Sequence, residues 1–244
     1  MSTLWVFGDS FSEDTQCLPI DNTSGRIRYI NQYLNGNYYK PWSFLLSKKL
    51  GMKLENRAAA CGHDFPFMGR GNGNDSILAN ISYNCDKFKK NDIVFVGLTD
   101  MCRTPWTHDD SVFMILPNMY PEIDSKEFFD KILIQKDSPF YYEQIIYNLD
   151  LISCLAKNVG FKLYVWSWNG LHEQFLIKNN LKRDYFIYTS IENFDPNKIW
   201  TYNHKYGGRS ISTATNDEII DSHYCERGEY AQYKVFLDLL NNTL

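Results

Sequence analysis

The chain has 244 residues, 44% of them hydrophobic and 22% charged, and a formal net charge of −4 at pH 7. That composition supports a packed core and excludes a disordered chain. The acidic balance excludes a basic footprint for nucleic acid, because Lys48-Lys49 and Lys89-Lys90 are isolated pairs. No apolar run reaches the length needed to span a membrane.

Leu4-Trp5-Val6-Phe7 is a short apolar run that stops at Gly8-Asp9-Ser10-Phe11, which predicts a buried first strand and a tight turn. Residues 41–50 (PWSFLLSKKL) predict a helix with Pro41 at its start and Gly51 as its stop. A short second strand is expected over 52–55, followed by a glycine-rich stretch from Gly62 to Gly73. From Asn74 to Phe88, the residues Ile77, Ile81, Cys85 and Phe88 recur on one helical face. Residues 92–98 (DIVFVGL) are continuously apolar, as expected of a parallel strand covered on both sides. The stretch at about 101–140 carries Pro105, Pro117, Pro121 and Pro139 and reads as an insertion over the site of a single domain, 1–244. A helix over 143–157 presents Ile145, Leu149, Ile152 and Leu155, and a strand follows over 161–168. The stretch 179–219 is again irregular, and a helix over 226–240 turns Tyr230, Tyr233, Leu237 and Leu240 inward. Strands alternating with helices predict a parallel sheet with helices on both faces.

The six cysteines, at 17, 61, 85, 102, 154 and 225, have no CxxC spacing, so reduced and mostly buried thiols are expected rather than a disulfide framework. The N-terminus lacks a charged segment ahead of an apolar one, so no signal peptide is expected. A cytoplasmic protein is the expectation, with a virion component reading the same way.

Chemistry concentrates at the two ends of the chain. A serine placed just after a buried strand, as Ser10 is, sits at the carboxyl edge of the sheet, where open α/β folds bind ligands. A helix that follows would aim its N-terminal N–H groups at an anion developing there. A serine hydroxyl needs a base, and histidine is the usual one. His223 stands before the last predicted helix in Asp221-Ser222-His223-Tyr224-Cys225-Glu226-Arg227-Gly228. Residues i and i+2 of an extended segment project to one side, so Asp221 can reach His223 and fix its tautomer. Taken singly, each motif also reads blandly: a capped turn at Ser10, and a histidine packed beside a helix at His223.

Other constellations are weaker. His172-Glu173 lacks the second histidine of a zincin helix, and Cys61-x-His63 has no partner pair at zinc-finger spacing. His108-Asp109-Asp110 fits an exposed loop. Arg103 could orient Asp9 or an anionic substrate. Neither G-x-S-x-G nor a P-loop is present.

Together, Gly8-Asp9-Ser10 and Asp221…His223, with Glu226-Arg227-Gly228 behind, resemble the SGNH (GDSL-type) hydrolase family in order and separation, and the shorter Asp-x-His spacing resembles its phage-type members. The resemblance implies a flavodoxin-like three-layer α/β/α sandwich with a central parallel sheet, and hydrolysis of small acyl esters with neither metal nor cofactor. It implies Ser10 as nucleophile, His223 as base and Asp221 as the residue orienting that base. Where the family has G-x-N-D after its third strand, this chain reads Gly97-Leu98-Thr99-Asp100, with threonine in place of the oxyanion asparagine. Gly71 is the preferred oxyanion glycine, with Gly62 and Gly73 competing. Asn74 and Thr99 are the candidate side-chain donors. The expected substrate is a small-molecule or carbohydrate ester carrying a short acyl group. Aromatic residues, 16% of the chain, offer flat faces for a sugar. Two rivals use the same fold: a non-catalytic binding or structural module, such as a phage particle component, and an O-acyltransferase. The oligomeric state is left open.

Overall fold

A computed structural model describes residues 1–18, 24–58, 73–99, 104–108, 111–115, 139–168, 170–188 and 208–243, with backbone alone at 104–108, 111–115 and 243. In chain order the strands are β1 (Thr3–Phe7), β2 (Lys53–Asn56), β3 (Ile93–Leu98), β4 (Thr104–His108), β5 (Ser111–Ile115) and β6 (Lys162–Ser167). Four of them form an all-parallel sheet in the order β2-β1-β3-β6. The segment around Phe186 extends its edge, through Val165 N–H to the Tyr185 carbonyl and Ile187 N–H to the Val165 carbonyl. β4 and β5 pair separately as an antiparallel hairpin within the expected insertion, and residues 116–138 lie outside the described residues.

The strands are apolar throughout because both faces are covered. Trp5, Phe7, Val94 and Val96 enter one cluster, while Leu4, Val6, Phe95 and Trp166 enter the other, as the two-residue period of a strand requires. On the first face lie α3 (Asn74–Asn84), α4 (Pro139–Val159) and α5 (Leu171–Lys178), contributing Ile77, Ile81, Leu149 and Leu176. On the second lie α2 (Trp42–Leu50) and α7 (Glu226–Thr243), contributing Trp42, Leu46, Phe236 and Leu240. A smaller cluster joins α1 (Gly25–Tyr33) to α6 (Ile211–Ala214) through Ile27, Ile30, Ile211 and Cys225. The result is a three-layer α/β/α sandwich. Among the described residues, no helix is long and apolar enough to cross a membrane.

The expected helix stops hold. Pro41 is the N-cap of α2, and Gly51 ends it in the left-handed region at φ 66°. α3 ends earlier than expected, at Asn84, but a 3₁₀ turn over Cys85–Lys87 still delivers Phe88 to the core. α4 begins earlier, at Pro139.

Two expectations need correction. Tyr230 is 52% exposed and Tyr233 half-buried, while Leu237 and Leu240 are buried as expected and share the buried stripe of α7 with Glu229, Gln232 and Phe236. Glu229 takes the inward position, its carboxyl oxygen accepting from the backbone N–H of Trp42 at 2.8 Å, and the adjacent Tyr230 falls on the outer side of the helix. Among the described residues the thiols are not mostly buried: Cys225 is, Cys85 is half-buried, and Cys17 and Cys154 are exposed. Cys61 and Cys102 lie outside the described residues.

Strand order decides where a site can form. The chain leaves β1 for β2 on one side and returns to β3 on the other, so the connections diverge between β1 and β3. In open parallel sheets the crevice beyond the carboxyl ends at such a point is where ligands bind.

Candidate active site

β1 ends at Phe7 and the chain turns at once. The Asp9 carbonyl accepts from Ser12 N–H at 3.0 Å, and Asp9 Oδ1 accepts from Phe11 N–H at 3.0 Å. This doubly closed turn carries Ser10 at its tip, partly exposed. It is tight because two glycines make room. A Cβ on Gly8 would stand 2.6 Å from Ser12 Oγ and 3.1 Å from the Gly97 carbonyl, and one on Gly97 would also stand 2.6 Å from Ser12 Oγ. Ser12 is thereby wedged between the ends of β1 and β3.

The segment carrying His223 is pinned from the other end. Ile211 N–H donates to the His223 carbonyl at 2.9 Å, Ser212 N–H to the Asp221 carbonyl at 3.0 Å, and Cys225 N–H to the Arg209 carbonyl at 3.2 Å. Gly228 permits that last approach, since a Cβ there would stand 2.3 Å from the Arg209 carbonyl oxygen. Asp221 Oδ1 accepts from the backbone N–H of His223 at 2.8 Å and meets its ring Nδ1 at 2.6 Å. The Asp-x-His spacing therefore works through an Asx-type turn rather than through a fully extended strand.

These two segments, 213 residues apart in sequence, meet at 2.7 Å between His223 Nε2 and Ser10 Oγ. The ionised Asp221 carboxylate can only accept, so Nδ1 carries the ring proton and Nε2 presents its lone pair to the serine O–H. Burial raises the Asp221 carboxyl, but the hydrogen bonds and charge of His223, with Arg26, outweigh it and hold Asp221 below the usual carboxylate range. Burial, then the charge of Arg26, push His223 below the ordinary imidazole value against the pull of Asp221 and Asp9. A hydroxyl hydrogen-bonded to a neutral imidazole that is backed by a carboxylate can lose its proton as it attacks an electrophile.

The candidate oxyanion donors fare differently. Asn74 is the first residue of α3, with Gly73 as N-cap, so it does not cap the helix. Its Oδ1 accepts from Thr99 N–H at 2.8 Å, and its Nδ2 donates to the Thr99 carbonyl at 3.1 Å and lies 3.4 Å from His172 Nε2. Asn74 thus staples α3 to the end of β3, with its amide nitrogen engaged there rather than turned to an acyl group. Thr99 is fully buried, and its hydroxyl has no hydrogen-bond partner among the described residues. Gly71 lies outside the described residues, as do Gly62, Arg103, Asp100, Cys61 and His63. Ser10 N–H has no partner among the described residues.

Four residues near the site escape a sequence reading. Arg26, 7% exposed, donates Nη1 to the Ser10 carbonyl at 3.1 Å and Nη2 to Glu13 Oε2 at 2.5 Å. Gly25 lies against Asp221, whose Oδ2 would be 2.4 Å from a Cβ there. Phe11 stacks on His223 with centroids 4.9 Å apart and on Trp168 at 4.6 Å. Only Phe11 carries a prior signal, its place beside Ser10.

His172 is a buried structural histidine, its Nδ1 3.2 Å from Ser167 Oγ. Among the described residues, no group of three or more His, Cys, Asp or Glu side chains is placed to hold a metal ion. A cavity of about 480 Å³ lies between α4, β6 and residues 183–185, lined in part by Asp150, Cys154, Lys162 and Arg183. It includes none of the Ser10, His223 and Asp221 set, and Arg183 is spent on a bidentate pair with Asp150.

A scan of the sequence against protein-family models finds no match, and neither does a search of curated proteins.

Proposed function

We propose that the protein is a serine esterase of SGNH type that hydrolyses short-chain acyl esters, O-acetyl groups on carbohydrate foremost. The observation that carries this reading is the hydrogen-bonded line from Ser10 Oγ to His223 Nε2 at 2.7 Å and from Nδ1 to Asp221 Oδ1 at 2.6 Å. Its position at the carboxyl end of β1, beside the crevice of the sheet, supports it.

In the proposed reaction Ser10 Oγ attacks the acyl carbon while His223 Nε2 takes the hydroxyl proton. Asp221 stabilises the imidazolium that forms. The tetrahedral oxyanion is met by the Ser10 N–H, with Gly71 as the expected glycine donor. Collapse breaks the bond to the alcohol, which leaves with the proton from His223. Water, deprotonated by the same nitrogen, then releases the acid and restores Ser10. Trp168, half-buried and stacked on the buried Phe11 that also stacks on His223, offers an aromatic face that suits a sugar ring better than a long acyl chain.

Hydrolysis of chromogenic esters from acetyl to octanoyl tests this. The expected result is turnover that is highest for acetyl and absent in Ser10→Ala. Rates that climb toward octanoyl would contradict the substrate class. No turnover by the folded wild type of any ester would contradict the enzyme reading and favour a binding module.

A further inference from the structure

We propose that Arg26 is a positioning residue for this reaction, clamping the nucleophile turn through the Ser10 carbonyl and setting a buried guanidinium beside the Ser10–His223 pair. The inference rests on the esterase reading of the site. Its starting point is where the guanidinium lies. Arg26 is the second residue of α1 and is buried with Glu13, whose side chain is 3% exposed. A buried ion pair adds little net stability, because desolvation of both charges offsets their attraction. Packing therefore gives no reason for a charge at this point, whereas the site does. Nη1 holds the peptide that follows Ser10, at 3.1 Å from its carbonyl oxygen. The preceding residue, Gly25, brings the first turn of α1 against the Asp221 carboxylate.

From there the guanidinium opposes a second positive charge on the imidazole. The groups facing His223 among the described residues are Asp221 on its own segment, Asp9 on the nucleophile turn and Arg26 on α1. The two carboxylates favour the imidazolium, while burial and Arg26 disfavour it. Behind Arg26 stand its partner Glu13 and, on α7, Glu229, whose ionisation Arg26 also favours. The positive charge is thus placed to let His223 remain a proton acceptor into more acidic solution, while Asp221 still orients the ring.

The test is a histidine-ring NMR titration of the full chain, with the His223 signal assigned by its loss in His223→Gln. It is run on the wild type, Arg26→Gln, Arg26→Lys and the double variant Arg26→Gln/Glu13→Gln. The double variant covers the case in which Arg26→Gln alone leaves Glu13 buried and unpaired and does not fold. The expected result is a His223 midpoint shifted to higher pH in Arg26→Gln and in the double variant, and close to wild type in Arg26→Lys. The acid limb of ester kcat/KM is expected to move the same way. An unchanged or lowered midpoint in the folded glutamine variants, with ester hydrolysis intact, overturns the role of Arg26 alone. A shifted midpoint in a protein that hydrolyses no ester overturns the esterase reading and leaves the coupling between Arg26 and His223 standing.

Discussion

The orienting carboxylate is the residue on which competing readings of the site separate most cleanly. Asp221 meets both the ring and the backbone of His223, whereas Asp217, also upstream, is exposed in a turn at φ 64°. Asp221→Asn is expected to cut kcat by about four powers of ten, because an amide can donate to Nδ1 and stabilise the wrong tautomer. Asp217→Asn is expected to leave kcat unchanged, and a reversed ranking in steady-state kinetics would contradict the assignment. The pH profile follows from the same geometry. His223 must be neutral to accept the serine proton, and its pKa is held below the ordinary 6.5. Activity should therefore persist as pH falls through 6.5 and disappear only below it, measured as kcat/KM against pH. That Ser10, His223 and Asp221 meet was legible in the sequence, because a serine after the first strand and a histidine before the last helix need no tertiary information to be paired as candidates. Asn74 was not readable in the same way. Its side-chain role is set by a backbone 25 positions away at Thr99. Arg26 carried no signal, since its partners are a carbonyl oxygen and a glutamate that only the folded turn brings together.

At the scale of elements, two polar contacts tie helices to the sheet and to one another. Asn74 links α3 to β3 by donating to and accepting from the Thr99 backbone. Asn74→Asp keeps the acceptor but turns an anion toward the Thr99 carbonyl, and should lower stability by about 1–3 kcal/mol in urea unfolding. Unchanged stability would show that the staple contributes nothing. Glu229 of α7 binds the first N–H of α2, and burial raises its pKa from 4.5 to about 8, with the Trp42 N–H and Arg26 acting against the shift. A carboxyl with a raised folded pKa favours the folded state fully below its unfolded value, and that contribution is lost as pH rises through the folded one. Between pH 7 and 9, above the window of His223, the wild-type Tm should fall. Glu229→Gln, which keeps an acceptor for Trp42 N–H, should fall less; an equal decline would contradict the assignment. The long apolar strands and the helices with strong apolar stripes were readable from periodicity. α1, α5 and the N-terminal half of the α7 stripe were not, because GRIRYINQY mixes charge into its buried face and α7 buries Glu229 and Gln232.

Across the whole molecule, the fold and the site explain one another through strand order. The alternation of apolar strands with helices was sufficient to expect a parallel sheet between two helical layers, but not the order β2-β1-β3-β6, which is a property of tertiary pairing. That order opens a crevice between the carboxyl ends of β1 and β3, and Gly8 and Gly97 let the turn after β1 close over it. The first and last blocks of the chain then meet across 213 residues, with Ser10 hydrogen-bonded to His223 and Phe11 stacked on the same ring. The direct measurement of whether this contact makes a nucleophile is labelling with a fluorophosphonate, followed by mass mapping of the adduct. A single covalent adduct on Ser10 is expected, absent in Ser10→Ala and formed far more slowly in His223→Gln. No adduct on the folded wild type, or an adduct on any other serine, would contradict it.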